Sequence, residues 1–407
     1  MAGPLTGIRV LDLTRVLAGP WATQLLADYG AEVIKVEKPG EGDDTRGWGP
    51  PFLKNRDGGN GDAAYFLAAN RGKWSVAIDM ADRQGQKLIR DLAAKTDIVI
   101  ENFKVGGLKK YGLDYDSLKA VNGKLIYCSI TGFGQNGPYA QRAGYDFMIQ
   151  AMGGLMSVTG VRDDLPGGGP QKVGVAVADL FTGLYAATAI IAAVVHQRAT
   201  GEGQHIDTAL LDTQVAMLAN LNSNYLVSGK VPGRMGNAHQ NIVPYQTFQT
   251  ADGYMIIAVG NDRQFREFCA IIGVPALAGD QRFASNRGRV ENRQQLIPLL
   301  TGPMLARTTA QWTAALEAAA VPCGPILGID QVFANEQVLA RGVQIGLTRD
   351  DGVQVPGVAN PIQFSATPIA YDKAPPRLGD GTDKVLAEVL GLDAAMIEGL
   401  RKSKIIG

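Results

Sequence analysis

The run Val173–Val195, VGVAVADLFTGLYAATAIIAAVV, carries one charge, the carboxylate of Asp179, in an otherwise uncharged and largely apolar stretch. Burying a lone charge is expensive unless something specific compensates it. The residues beyond Asp179 alternate small and branched side chains with helical character and no proline, so the carboxylate sits where a long, tightly packed helix would begin. It could cap that helix, lie in a membrane, or react. The membrane reading is the weakest of the three. An aspartate inside a bilayer costs roughly 2.5–3.5 kcal/mol on insertion scales. Gly174, Gly183, Tyr185 and several alanines dilute the hydrophobicity, and no second span is visible.

Lysine plus arginine balances aspartate plus glutamate at 39 each, so no global field recruits nucleic acid or an anionic membrane. Cys128, Cys269 and Cys323 are odd in number and far apart, which gives no disulfide framework or metal spacing and suits a reducing cytosol. The N-terminus lacks a basic region followed by an apolar core, so a cytoplasmic protein is expected.

Gly7–Thr14 alternates like a strand, Pro20 opens a helix over Trp21–Tyr29, and Ala31–Glu37 is a second strand. The pattern repeats with Trp74–Asp79, a helix over Arg83–Lys95, and strands at Asp97–Phe103, Lys124–Thr131 and His205–Ala209. Alternation of this kind predicts a Rossmann-like parallel sheet, whose ligands bind at the carboxyl ends of the strands. A helix follows over Leu211–Val227. The linker GKVPGRMG at 229–236 then opens a smaller α+β domain containing a Val243–Val259 hairpin and three helices. The expected organisation is an α/β domain over 1–228, a small α+β domain over 229–330, and a return to the large domain over 331–407. Residues from Gln354 to Ala370 read as strand with proline interruptions.

Walker A, HExxH, CxxC and GxSxG motifs are absent, and Leu17-Ala18-Gly19-Pro20 stands where a dinucleotide-binding glycine motif would follow the first strand. Three histidines argue against a histidine metal cage. Carboxylates, backbone amides and a bound cosubstrate are left to carry the chemistry.

GIRVLDLTRVLAGPWATQLLADYGAEVIKVEKPGEGDDTRGW at 7–48 resembles the N-terminal signature of the class III CoA-transferases, the formyl-CoA and carnitine-CoA transferase type. So do NRGKWSVAIDM at 70–80, IENFKVGGLKKYGLDYDSL at 100–118, GYDFMIQAMGGLMSVTG at 144–160 and VADLFTGLYAA at 177–187. The likeness runs on through GRMGNAHQNIVPYQTFQTADG and VPCGP to the terminal helices. The resemblance implies an interlocked homodimer in which Asp179 is the nucleophile. It would attack an acyl-CoA thioester to give an aspartyl–acyl anhydride, then an aspartyl-CoA thioester. Only a carboxylate gives an anhydride, which keeps enough acyl-transfer potential to remake a thioester without ATP. With the ordinary Asp pKa of about 3.9, the group is ionised at neutral pH without a partner base. A carboxylate at a helix start is also a common cap, and the two roles are compatible.

The same resemblance places CoA contacts at Arg15, Val16, Leu17, Ala18, Lys38, Asn70, Arg71, Lys73, Asn102, Lys110 and Arg142. Each basic residue alone also fits a solvated surface charge. Family members often carry Gln where Leu17 stands, and its absence leaves the oxyanion to backbone amides. GNAHQNIVPY at 236–245 replaces the consecutive glycines of the formyl-CoA branch and is similar to transferases acting on dicarboxylates such as succinate, glutarate or mesaconate. Succinyl-CoA is therefore the expected donor and a dicarboxylate the expected acceptor. Arg46, Tyr145, His239 and Gln240 are the candidates to hold the acceptor, with Arg234 as a further one. CoA thioester is a cosubstrate, with no prosthetic group and no metal. An α-methylacyl-CoA racemase is the nearest rival, but Tyr145 stands where such enzymes use a histidine base. A non-catalytic CoA-binding protein is the third reading.

Overall fold

The structure, a computed structural model, describes residues 3–407. It divides into two compact units, the first comprising residues 3–155, 172–230 and 339–407 and the second 156–171 with 231–338. The second unit thus begins earlier than the 229–330 segment expected from the linker, because residues 156–171 fold with it.

Six parallel strands form the centre of the first unit: β1 (Arg9–Asp12), β2 (Glu32–Glu37), β3 (Lys73–Ala77), β4 (Ile98–Glu101), β5 (Ile126–Thr131) and β6 (His205–Ala209). Their spatial order is β6-β5-β4-β1-β2-β3. This is the doubly wound 3-2-1-4-5-6 arrangement, in which helices cover both faces and the strands read as nearly continuous apolar runs. Val10, Val33, Ile98, Ile100 and Ile126 pack on one side against α1 (Ala18–Asp28) and α4 (Val177–Thr200). Leu11, Ile34, Val76 and Val99 pack on the other against α2 (Arg83–Ala93) and the terminal helices α11 (Thr382–Leu390) and α12 (Ala394–Lys402). A shorter helix, α3 (Asp146–Met152), precedes α4 in sequence and packs against it.

The apolar run identified in the sequence is α4. It buries a stripe of Ala178, Thr182, Gly183, Ala186, Ala187, Ile190, Ala193 and Val194, the spacing of one helical face. Phe181, Leu184, Tyr185 and Val195 lie exposed on the other side. By length and composition α4 could cross a membrane, and 44% of its most apolar window is buried within the protein. Gly183 is required here: a Cβ would lie 2.7 Å from the Ala18 carbonyl oxygen, so its absence lets α4 press against the start of α1. The helix expected over Leu211–Val227 is broken into α5 (Leu210–Met217) and α6 (Asn220–Ser228) by Ala219, whose φ of 45° lies in left-handed space. Strand pairing after Gln354 stops at Val358, short of the Ala370 expected from composition.

The second unit is built on an antiparallel sheet of β7 (Tyr245–Gln249), β8 (Tyr254–Ala258) and β9 (Cys323–Pro325). Phe248, Met255 and Ile257 of this sheet share a core with Phe265 and Cys269 of α7 (Asp262–Ile271), Leu296 and Leu300 of α9 (Arg293–Met304), and Trp312 of α10 (Thr309–Ala318). The short helix α8 (Asn286–Glu291) joins α7 to α9 in sequence order.

Candidate active site

Chain order along the sheet reverses between β1 and β4, so the loops leaving their carboxyl ends diverge and open a crevice. Asn102, just past β4, staples the two loops: its Oδ1 accepts the Arg15 N–H at 3.0 Å and its Nδ2 donates to the Arg15 carbonyl at 2.7 Å. A cavity of about 570 Å³ lies there, lined by residues 15–18, 102–107, Lys110, Tyr111, Gly132, Arg142, Gly144, Tyr145 and Asp179. It thereby brings together Arg15, Val16, Leu17, Ala18, Asn102, Lys110, Arg142, Tyr145 and Asp179 from the expected set. No histidine lines it.

Asp179 lies in the first turn of α4, four residues before Gly183 and on the same face, so the close approach at Gly183 turns it toward the 15–18 loop. It does not cap its helix. Ala176 is the N-cap residue, and the free amides of Ala178 and Asp179 instead donate to Asp146 Oδ1 at 2.8 and 3.4 Å. Among the described residues nothing donates to the Asp179 carboxylate. Burial, and then the neighbouring Asp146 carboxylate, push its pKa up to about 7. This corrects the expectation of a carboxylate fully ionised at neutral pH. Tyr65 belongs to the same centre: burial and the charges of Asp179 and Asp146 raise its pKa, so its phenol stays a neutral donor. Its ring meets Trp48 edge-on at 5.3 Å. Tyr65 lies outside the quoted motifs and Trp48 only closes the 7–48 signature, so nothing in the sequence singles out either ring.

Under the 15–18 loop lies a fully buried ionic network. Asp12 accepts hydrogen bonds from the Thr14 and Thr23 hydroxyls and pairs with Lys73, while Lys35 donates to Asp43 at 2.9 Å and to the Thr14 carbonyl at 2.7 Å. Asp43 also accepts the Val16 N–H. Val16 has φ of 72°, a left-handed conformation that a β-branched residue adopts only when its surroundings impose it. Lys35 and the hydrogen-bonded Thr45 hold Asp43 down to a pKa of about 2 despite its burial.

Several expected ligand contacts are instead structural. Lys73 is buried, donating to Asn70 Oδ1, the Pro20 carbonyl and Asp12; desolvation lowers its pKa to about 8. Asn70 donates to the Phe66 carbonyl. Arg71 forms a two-pronged pair with Asp28 at 2.8 and 2.7 Å and donates to the Val358 carbonyl. Arg46 spends its donors on Glu37, Asp62 and the Pro376 carbonyl. Charges saturated in this way have no free donor geometry to offer a ligand. Lys38 is exposed, paired with Glu41, and lines a second cavity of about 320 Å³ together with Thr14, Met80 and Ala81. That cavity shares Arg15, Phe103 and Tyr111 with the first.

His239 and Gln240 lie in the second unit. His239 Nδ1 accepts the Asn241 N–H at 3.0 Å, and Gln240 Nε2 donates to the Gly233 carbonyl at 2.7 Å. Arg234 pairs with Asp163. Asn286 and Arg289 of α8 and Arg293 of α9 hold the backbone of residues 239–243 through the carbonyls of Asn241, Val243, His239 and Gln240.

Comparison with known proteins fits this geometry. A family model described as CoA-transferase family III matches residues 5–382. A succinate–glutarate CoA-transferase of Agrobacterium fabrum is 54% identical over 95% of this chain and 96% of its own. A human succinyl-CoA:glutarate CoA-transferase is 43% identical over 99% of this chain and 90% of its own. A crystal structure of a CAIB/BAIF family protein from Brucella suis superposes with a TM-score of 0.84 at 52% identity, covering 96% of this chain and all of that one.

Proposed function

The chain belongs to CoA-transferase family III, and from that premise we propose that it transfers CoA from succinyl-CoA to a dicarboxylate, glutarate foremost. The carrying observation is the unpartnered carboxylate of Asp179 in a cavity also lined by four cationic residues, Arg15, Lys104, Lys110 and Arg142. A buried acid without donors is costly to maintain, and such groups mark reactive centres. The four cations suit a diphosphate and a carboxylate substrate, and the second cavity, which shares Arg15, Phe103 and Tyr111 with the first, offers further room beside it for the nucleotide.

In the proposed cycle an Asp179 oxygen attacks the thioester carbonyl of succinyl-CoA. The C–S bond breaks, leaving a succinyl–aspartyl anhydride and CoA thiolate. The thiolate attacks the aspartyl carbonyl, succinate departs, and an aspartyl-CoA thioester remains. The acceptor carboxylate attacks that thioester to form a second anhydride, and the returning thiolate takes the acceptor acyl group and frees Asp179. The raised basicity of Asp179 makes its ionised form a stronger nucleophile than an ordinary carboxylate, while a pKa of about 7 leaves enough of it charged at neutral pH. Asp146 holds the α4 amides and faces Asp179 with its charge. The Tyr65 hydroxyl supplies the neutral donor that Leu17, lacking an amide side chain, does not.

We read the exposed apolar side of α4, together with Tyr225, Leu226 and Val227 of α6, as the face covered by a second copy in a homodimer. A reducing cytosol suits the three free cysteines. Hydroxylamine trapping tests the chemistry: succinyl-CoA should yield a hydroxamate at Asp179, identified by mass spectrometry. Turnover with that residue unmodified would refute the reading.

A further inference from the structure

A cavity of about 410 Å³ lies wholly within the second unit and draws its walls from the 156–171 segment, residues 235–238, β7 and α9. Two guanidinium groups line it, those of Arg162 and Arg293, and no aspartate or glutamate does. Burial, and then the charge of Arg162, lower the pKa of Arg293, so the two cations repel one another. Arg293 has no carboxylate partner among the described residues. Its Nη2 donates to the His239 and Gln240 carbonyls at 2.6 and 3.0 Å, which leaves Nε and Nη1 uncommitted. Arg162 spends Nε and Nη2 on Asp164 in an exposed pair, worth little, and keeps Nη1. The side chains of Asn237, Gln246 and Gln294 also line the cavity with no hydrogen bond among the described residues. Arg293 opens α9, so the positive end of that helix adds to the field, while Leu165, Met235 and Ile297 make part of the wall apolar.

We propose that this cavity is a binding site for a short aliphatic dicarboxylate, with a guanidinium at each carboxylate and the methylene chain against Leu165, Met235 and Ile297. The inference needs neither CoA nor Asp179, and it goes beyond the transfer reaction. Two like charges held in one cavity are costly, and an anion between them removes that cost. The planar fork of arginine matches the two oxygens of a carboxylate, and each of these arginines still has a donor to offer. Asn237, Gln246 and Gln294 can satisfy the remaining carboxylate lone pairs. Inorganic phosphate or sulfate would meet the cations but leave the apolar wall against water. Carboxylates joined by methylenes use both kinds of lining, the mixture typical of small-molecule sites.

Phenylglyoxal modification of the full-length protein without CoA, with each arginine followed by peptide mass spectrometry, tests this. Glutarate at about ten times a Kd of a few millimolar should slow the modification of Arg162 and Arg293 about tenfold. Arg287, which is exposed, should react at an unchanged rate. The neutral diamide glutaramide, and sulfate at equal ionic strength, should protect neither arginine. Gln294→Glu places a carboxylate in the cavity within the first turn of α9, where an acid suits the helix, so the fold should hold and the protection by glutarate should vanish. Unchanged rates at Arg162 and Arg293, equal protection by sulfate or glutaramide, or protection that survives in a folded Gln294→Glu protein would overturn the assignment. The readout involves no turnover, so its failure leaves the chemistry at Asp179 standing.

Discussion

Asp43 and Asp179 both face the 15–18 loop region, yet they live under opposite electrostatic conditions. Asp43 is buried, pairs with Lys35 at 2.9 Å, accepts hydrogen bonds from the Val16 N–H and from the N–H and hydroxyl of Thr45, and sits near pKa 2. Asp179 is less buried, receives no hydrogen bond, faces a second carboxylate and sits near 7. The saturated group holds the backbone, including the left-handed Val16, and the unsaturated one is left available for bond formation. Burial alone does not separate scaffold from reactive group; the count of partners does.

The largest break in that comparison comes from removing each carboxylate in turn. Asp179→Ala should lower kcat by about four orders of magnitude or more, to background, with the thermal midpoint unchanged or raised. Asp43→Ala should do the reverse in kind. Stranding Lys35 in a dry interior should cost about 3–5 kcal/mol in urea unfolding. An Asp179 variant that unfolds, or an Asp43 variant of full stability, would erase the distinction.

The pH dependence sharpens it. The rate of acyl-enzyme formation from succinyl-CoA, measured by stopped-flow release of CoA, should follow the ionised fraction of Asp179. It should be half-maximal at about pH 7 and fall about tenfold per unit well below that. Burial pushes Glu101 to about 7 as well, so the assignment needs two variants. Asp146→Asn should move the midpoint down by removing the like charge, whereas Glu101→Gln should leave it in place. Stability follows with the opposite sense. A carboxyl whose folded pKa is raised destabilises the fold progressively as pH climbs from about 4 to about 7, and uniformly above. Asp179→Asn should therefore stabilise the protein by about 1–2 kcal/mol at pH 8, discounted for its partial exposure, and be nearly neutral at pH 4.

The contrast also explains what could be read from the sequence. The β–α alternation fixes the doubly wound sheet, because apolar runs of strand length must be covered on both faces, and Asp179 stands out as the one charge in a helix-length apolar run. Which basic residues reach a ligand was not legible. Lys73 and Arg71 look like loop cations until the fold supplies Asp12 from 61 residues away and Asp28 from 43. Arg46 is likewise consumed by Glu37 and Asp62. Asp146 is next to Tyr145 in the chain, but its work is done 32 residues later at the α4 amides, a pairing no local pattern encodes. The break at Ala219 lies between two helix-compatible segments and carries no glycine or proline to announce it.

The smallest effect concerns Tyr65, whose part in the centre is electrostatic rather than covalent. Its phenol remains protonated because Asp179 and Asp146 oppose a second negative charge beside them. Tyr65→Phe keeps the ring and its edge contact with Trp48 while deleting the donor, so folding and CoA affinity should change little. If the hydroxyl stabilises oxygen charge as the thioester is attacked, kcat should fall about ten- to a hundredfold with KM for succinyl-CoA within twofold. A rise in KM at constant kcat would make Tyr65 a ground-state contact. The charge developing in the transition state would then be met by backbone amides of the 15–18 loop, the loop that Asp43 holds in place.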